Sequence, residues 1–192
     1  MQPTRRTLLI GAAAGTAAIG LGVLPFVIGD RTEHLTPAEA KHRGVPLTSL
    51  DSAEADILGR LGDILLPGAD QAGIVNFVDH HLSVPSPESL LMVRYMDVAP
   101  PYLDFYRAGL AAMDGAAKAA HGQPFVKLPA QAAEQLVVAM GREQPRGWQG
   151  PPSQLFYFVT RSDAVDVVYG TRAGFEKLGI PYMAHIEPEK DW

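Results

Sequence analysis

Apolar residues recur at helical intervals through most of the chain after Leu50. In the first such stretch, spacings of three and four residues place five side chains on one helix face: Ile57, Leu58, Leu61, Ile64 and Leu65. Asp51 and Glu54 have the spacing of a capping box, so we expect the helix to begin there and to end at Leu66-Pro67-Gly68. A second, shorter helix is predicted over 74–82.

Four further segments repeat this periodicity and predict helices over 88–96, 102–120, 128–141 and 153–166. The last of them contains Phe156-Tyr157-Phe158, a run that would also suit a strand. Trp148, in a loop rich in Gly and Pro, is expected to pack against the core. No segment shows the sustained alternation of a strand, so the pattern predicts an all-α domain, a small bundle of about six short helices.

The N-terminus has a different pattern. Thr4-Arg5-Arg6-Thr7 is followed by a run to Gly29 without a charged residue, diluted by Gly and Ala. Arg5 and Arg6 ahead of such a run are typical of a twin-arginine export signal, which we assign to 1–30. An ordinary membrane anchor helix is the alternative, because the run is long enough to cross a bilayer. The sequence leaves open whether this leader is cleaved.

The remaining boundaries follow changes in composition. Residues 31–49 are polar and predict a linker with one helical turn after Thr36-Pro37, residues 50–167 form the helical domain, and residues 168–192 form an irregular tail. This C-terminal tail is rich in Gly, Pro and aromatic residues, and it packs either on its own domain or on another protein. Our hypothesis for a partner interface is its aromatic set, Tyr169, Phe175, Tyr182 and Trp192.

Composition and charge exclude several classes of function and of site. The chain has 192 residues, 47% hydrophobic and 19% charged, which is the balance of a globular protein. Its net charge of −5 argues against binding to nucleic acid, which requires a basic surface. It has no cysteine, and this excludes disulfides, thiolate metal sites and covalent attachment of haem c to this chain.

Candidate chemistry is sparse. The sequence contains no dinucleotide fingerprint, phosphate loop, nucleophile elbow or zinc-protease motif. Glu39 and His42 have the spacing of a di-iron helix, but no second copy exists. Asp79-His80-His81 suggests a metal site, yet neighbouring residues on a helix point about 100° apart. We therefore assign no catalytic, cofactor-binding or metal-binding residue.

The order of several short motifs resembles the gluconate 2-dehydrogenase subunit 3 family over nearly the whole chain. Besides the leader, these motifs are Asp63-Ile64-Leu65-Leu66-Pro67, the segment 72–79, Tyr106-Arg107-Ala108-Gly109-Leu110, Gly122-Gln123-Pro124-Phe125 and Asp166-Val167-Val168-Tyr169-Gly170. Many members continue with a second glycine and an asparagine, where this chain has Thr171-Arg172. This departure leaves the substrate open.

The resemblance implies a non-catalytic small subunit of a periplasmic, membrane-associated dehydrogenase complex for sugars or sugar acids. In such complexes a GMC-type large subunit holds FAD, a multihaem cytochrome c passes electrons on, and the small subunit holds no cofactor. It would support maturation of the large subunit and its export by the twin-arginine translocase. Two alternatives remain: a stand-alone periplasmic enzyme or ligand- or metal-binding protein using Asp79, His80 and His121, and a membrane-tethered scaffold.

Overall fold

The computed structural model describes residues 23–180, apart from the side chain of Arg172. Within this range the chain forms a β-hairpin followed by seven α-helices. The elements are β1 Leu24–Ile28, β2 Arg31–Leu35, α1 Pro37–His42, α2 Ser52–Leu65, α3 Ile74–Ser83, α4 Tyr102–His121, α5 Ala130–Arg142, α6 Ser153–Tyr169 and α7 Arg172–Lys177. The prediction of a mostly helical domain is confirmed, and the structure adds a small β-hairpin that was not predicted.

The hairpin occupies the end of the predicted leader and the start of the predicted linker. Strands β1 and β2 pair antiparallel from Leu24 opposite Leu35 to Ile28 opposite Arg31. Alternate residues of β1 point inward, and Leu24 and Phe26 are buried. The prediction of a signal or anchor helix reaching Gly29 is therefore wrong for Leu24–Ile28. The rest of the leader, including Arg5 and Arg6, lies outside the described residues.

The predicted linker holds a helix of six residues rather than one isolated turn. Thr36 and Glu39 form a capping box at the start of α1, in which the Thr36 backbone N–H donates to Glu39 Oε2 at 2.7 Å. The Glu39 side chain is thus part of the helix cap. Helix α2 begins with the capping box predicted from the sequence, since Asp51 Oδ1 accepts from the Glu54 N–H at 2.8 Å.

The predicted helix over 88–96 is wrong. The chain forms two 3₁₀ turns there, Ser86–Glu88 and Met92–Tyr95. Side chains take the hydrogen bonds that an α-helix would make with its own backbone: the Arg94 guanidinium donates to the Ser89 carbonyl at 2.9 Å, and the Met92 N–H donates to a carboxylate on α6. Pro85 and Pro87 also disfavour a regular helix at its entry.

Helix α6 occupies the centre of the bundle and contacts each of the other helices from α2 to α7. Helix α4 crosses it at Gly109, where a Cβ would come within 2.3 Å of the Phe156 ring. Phe156 is fully buried among Phe105, Tyr106 and Trp148, with ring centroids 5.7 to 6.2 Å away. The prediction that Trp148 packs on the core is confirmed, and the run Phe156-Tyr157-Phe158 is helical.

The start of the predicted irregular tail is helical. Val168 and Tyr169 complete α6, and Thr171 caps α7 by accepting the Gly174 N–H at 3.0 Å. Residues 181–192, with Tyr182 and Trp192, lie outside the described residues. Across the range 23–180, none of the helices combines the length and apolar character that a membrane crossing requires.

Candidate functional site

Helix α6 presents an apolar face to solvent as well as to the core. Spacings of three and four residues align five side chains along this side: Leu155, Phe158, Ser162, Val165 and Tyr169. We call this set the α6 face. Phe158 is 47% exposed and Val165 is 39% exposed, while the other three are half-buried. Large apolar side chains that remain exposed in one row are typical of a protein contact surface.

The 3₁₀ turn Met92–Tyr95 extends this surface. Met92 and the exposed residues Phe158 and Val165 line one shallow cleft of about 210 Å³. Arg161 and Asp166 lie at the same cleft and give it a polar edge. Tyr95 in the same turn is also exposed, with the Arg94 guanidinium 5.4 Å from its ring centroid. An apolar centre with a polar edge is the usual composition of a non-obligate interface.

A buried carboxylate fixes this turn against α6. Asp163 is completely buried, and its Oδ1 accepts the Met92 backbone N–H at 2.9 Å. Its Oδ2 accepts a hydrogen bond from the Tyr106 hydroxyl on α4. Asp163 therefore joins α4, α6 and the turn that carries Met92. Both carboxylate oxygens are used in holding the surface together, so Asp163 is a positioning residue.

Burial is the main cause of the shifted pKa of Asp163. It raises the pKa of Asp163 to about 7, although the hydrogen bonds from Met92 and Tyr106 lower it, and the neighbouring Asp166 raises it further. Burial also raises the pKa of Tyr106 well above its ordinary value, and the charge of Asp163 adds to this shift. Burial thus disfavours the charged form of Asp163, and the hydrogen bonds from Met92 and Tyr106 offset part of that cost.

The predicted interface residues fall only partly on this surface. Tyr169 ends the α6 face, half-buried against the core. Phe175 lies half-buried in α7, and Tyr182 and Trp192 are outside the described residues. The sequence interpretation missed Phe158 and Val165. A signal was present in the sequence, because the apolar residues of 153–169 do not keep to one side of the helix.

The rival site of Asp79, His80 and His121 is not assembled. The Asp79 carboxylate accepts the backbone N–H groups of residues 48, 49 and 50, each at 2.8 Å, and so holds the loop before α2. His121 is exposed at the last residue of α4, and no hydrogen bond or ring contact joins it to the other two within the range 23–180. In that same range, no three His, Asp or Glu side chains are placed to hold a metal ion.

The two adjacent histidines, His80 and His81, pack against aromatic residues of the core. His81 is buried, its Nδ1 accepts the Leu90 N–H at 3.4 Å, and its ring meets Phe77 edge-on at 4.6 Å. Burial lowers the pKa of His81 to about 3, and the neighbouring His80 lowers it further. Burial also lowers the pKa of His80, which packs on Phe26 of the hairpin. Both rings therefore act as neutral packing groups.

Comparison with known proteins identifies a family. Residues 52–185 match the sequence model of the family described as gluconate 2-dehydrogenase subunit 3. No curated protein and no solved structure matches the chain. The matched segment covers more than half of the chain and includes α2 to α7, and with them the α6 face and Asp163. The chain therefore belongs to the gluconate 2-dehydrogenase subunit 3 family.

Proposed function

We propose that this chain is the non-catalytic small subunit of a periplasmic, membrane-associated FAD-dependent dehydrogenase of sugars or sugar acids. It binds the GMC-type flavoprotein subunit, supports its maturation, and brings it through the twin-arginine translocase by means of Arg5 and Arg6. FAD resides in the large subunit, and haem c resides in a multihaem cytochrome partner. Family membership supports the role of a subunit in a dehydrogenase complex.

The observation that carries the proposal is the α6 face. Helix α6 is central to the bundle, yet Phe158 and Val165 remain exposed in line on it. Exposed aromatic and aliphatic side chains of this kind become interface anchors when a partner removes them from water. We assign the flavoprotein subunit as that partner, because the family is defined as a subunit of a dehydrogenase.

Substitutions in the leader test whether this chain directs export of the flavoprotein. The double variant Arg5→Lys/Arg6→Lys keeps the charge, so a loss of export reports recognition of the arginine pair. We expect the flavoprotein to remain in the cytoplasm with FAD bound when it is co-produced with this variant. Arg142→Lys/Arg146→Lys, which alters two exposed arginines outside the leader, is the matched control. A flavoprotein that still reaches the periplasm with the leader variant would contradict piggyback export.

Activity measurements test whether the flavoprotein, and not this chain, carries the dehydrogenase activity. We expect the purified chain alone to reduce no dye with gluconate or glucose, and the flavoprotein to do so only after co-production with this chain. Flavin absorbance of the isolated flavoprotein separates a maturation defect from an export defect. Dehydrogenase activity in this chain alone would contradict a non-catalytic role.

A further inference from the structure

A second surface lies on a different part of the bundle. Helices α1, α2, α3 and α5 border a groove of about 710 Å³, with Lys41, Asp56, Asn76 and Glu134 contributed by these helices in turn. We call it the carboxylate groove. Its floor is aliphatic and includes Val45, Leu47, Ile64 and Val75. None of its described lining residues belongs to the α6 face.

The groove carries an excess of negative charge. Four carboxylates line it, Asp56, Asp63, Asp70 and Glu134, against two cations, Lys41 and Arg60. Lys41 Nζ pairs with Asp70 Oδ1 at 2.5 Å. Arg60 donates to the backbone carbonyls of Phe125 (2.9 Å) and Leu128.

Three carboxylates of the groove therefore lack a cationic partner among residues 23–180: Asp56, Asp63 and Glu134. Asp63 has one neutral donor, since its Oδ1 accepts the Asp70 N–H at 2.9 Å. Asp56 on α2 and Glu134 on α5 are exposed, and both line the groove. An incoming cation would thus meet carboxylates from two helices.

A buried amide provides independent support for a ligand. Asn76 on α3 is only 6% exposed, and it lines the groove. Its side chain makes no hydrogen bond to any described residue, although its oxygen and nitrogen are not sealed from solvent. Buried amides normally have hydrogen-bond partners, and the described residues supply none for this one, so a donor that enters the groove would provide a partner. Its oxygen is free to accept from a donor in the groove.

Gly59 allows the Asp70 side chain to pack closely against α2. It lies on the groove side of α2, one turn after Asp56, and a Cβ there would come within 2.7 Å of Asp70 Oδ1 and 3.6 Å of Val75. A side chain at this position would displace the Lys41–Asp70 pair and cover part of the floor. The position of the Lys41–Asp70 pair at this groove thus depends on a glycine at position 59.

We propose that the carboxylate groove binds arginine or lysine side chains from a basic segment of a protein partner. Long cationic side chains fit both features of the site, because their methylene stems cover aliphatic surface while their heads reach carboxylates and an amide oxygen. No aromatic ring is among the described lining residues, so a sugar ring would lack a stacking surface. This site is additional to the α6 face. We take the partner to be the flavoprotein subunit, and only that identity rests on the proposed function.

The test uses the purified full chain and two labelled peptides. One peptide carries two adjacent arginines among alanine and serine, and the other has citrulline in place of arginine, which keeps the shape and removes the charge. We expect fluorescence anisotropy to detect binding of the arginine peptide that weakens with salt, and weaker binding of the citrulline peptide. Asp56→Asn/Glu134→Gln should weaken the arginine peptide about fivefold.

Glu88→Gln/Asp97→Asn is the matched control, since both carboxylates are exposed and neither lines the groove. Asn76→Ser tests the buried amide and should also weaken binding, while circular dichroism checks that it folds. Phe158→Ser/Val165→Ser should leave peptide affinity unchanged, so this proposal and the proposed function can fail separately. Equal affinity for both peptides, or equal effects of the groove and control variants, would overturn the proposal.

The chain's own leader is the competing occupant. If the arginine peptide binds only when Arg5→Gln/Arg6→Gln is introduced, the groove holds the leader of the same chain, and the assignment to a partner protein is wrong. If affinity is the same with and without these substitutions, the groove is free in the full chain, as we propose.

Discussion

Helices α4 and α6, the two longest among residues 23–180, divide their apolar residues differently. Helix α4 buries one side, including Phe105, Tyr106 and Leu110, and exposes charged residues such as Asp104 and Arg107 on the other. Helix α6 contacts more of the bundle, yet its exposed side still carries large apolar residues. An amphipathic helix buries its large apolar residues within its own domain, whereas α6 also carries Phe158 and Val165 on its exposed side, where the domain does not cover them.

Two phenylalanines on α6 show this contrast within three residues. Phe156 is fully buried in an aromatic cluster with Phe105, Tyr106 and Trp148. Phe158 has nearly half of its surface exposed. The same residue type on one helix thus serves the core at one position and, in our account, a partner at the other. The predictions below test this division, beginning with the largest expected effect.

Phe156→Ala should cause the largest loss of stability. The substitution leaves a cavity between α4 and α6 and removes three aromatic contacts, so we expect the free energy of unfolding to fall by about 3–5 kcal/mol. Urea denaturation followed by circular dichroism measures it. Phe158→Ala is the matched control and should cost far less. Similar losses for the two variants would contradict the distinction between a core side and a contact side.

Asp163 should make stability depend on pH, with a definite sign. The unfolded chain loses this proton near the ordinary aspartate pKa of about 4, whereas the folded chain keeps it up to a pKa of about 7. The contribution of Asp163 is therefore fully present below pH 4 and is lost as pH rises through 7. Relative to Asp163→Asn, the native chain should lose roughly 2–4 kcal/mol of unfolding free energy over this range.

Comparison with Asp163→Asn at each pH removes the opposing effect of His81. The pKa of that histidine is lowered to about 3, so it contributes stability above its ordinary pKa, and this contribution is lost as pH falls. Parallel stability curves for the native chain and Asp163→Asn would show that Asp163 ionises normally in the fold.

Arg107→Ala should have a smaller effect, because it alters the polar side of α4. Arg107 Nε lies 3.1 Å from Glu54 Oε1, and another of its nitrogens donates to the Ser49 carbonyl at 2.9 Å. The side chain is about half exposed, so we expect a loss of at most about 1 kcal/mol that decreases with salt. Thermal denaturation at low and high salt checks this, and a salt-independent loss of several kcal/mol would contradict a surface role.

Phe158→Ser/Val165→Ser should have the smallest effect on stability. Exposed apolar side chains contribute little to folding, so we expect a change within about 0.5 kcal/mol per position. Val138→Ser on α5 provides a matched exposed control, since Val138 is 49% exposed and does not belong to the α6 face. A loss as large as that of Phe156→Ala would show that the α6 face supports the fold itself.

The helices that could be predicted from the sequence are those whose signals are local. Asp51 and Glu54 specify the start of α2, and the apolar spacing after Ile57 specifies its buried side. The segment 88–96 could not be predicted, because Met92 bonds to Asp163, 71 residues away. Leu24–Ile28 was assigned to the leader because a short apolar strand cannot be told from the end of a longer apolar run by composition alone.

The candidate site could be predicted less well from the sequence, because it also depends on contacts between residues that are far apart in the chain. The predicted interface set, which begins with Tyr169, rests on residue type alone, but exposure depends on which side of α6 the other helices cover. The carboxylate groove depends on Asp56, Asn76 and Glu134 meeting from three helices, and no spacing in the sequence brings them together. Family membership could be identified from short motifs, because their order along the chain needs no tertiary information.

The most direct test of the account is co-purification of the flavoprotein subunit with the Phe158→Ser/Val165→Ser variant, measured as the flavin absorbance recovered per mole of this chain. Val138→Ser serves as the control. We predict that the α6 variant remains folded and recovers at least tenfold less flavin, as expected when two interface anchors are removed. Equal recovery by the folded α6 variant and the control would contradict the assignment of the α6 face as the docking surface.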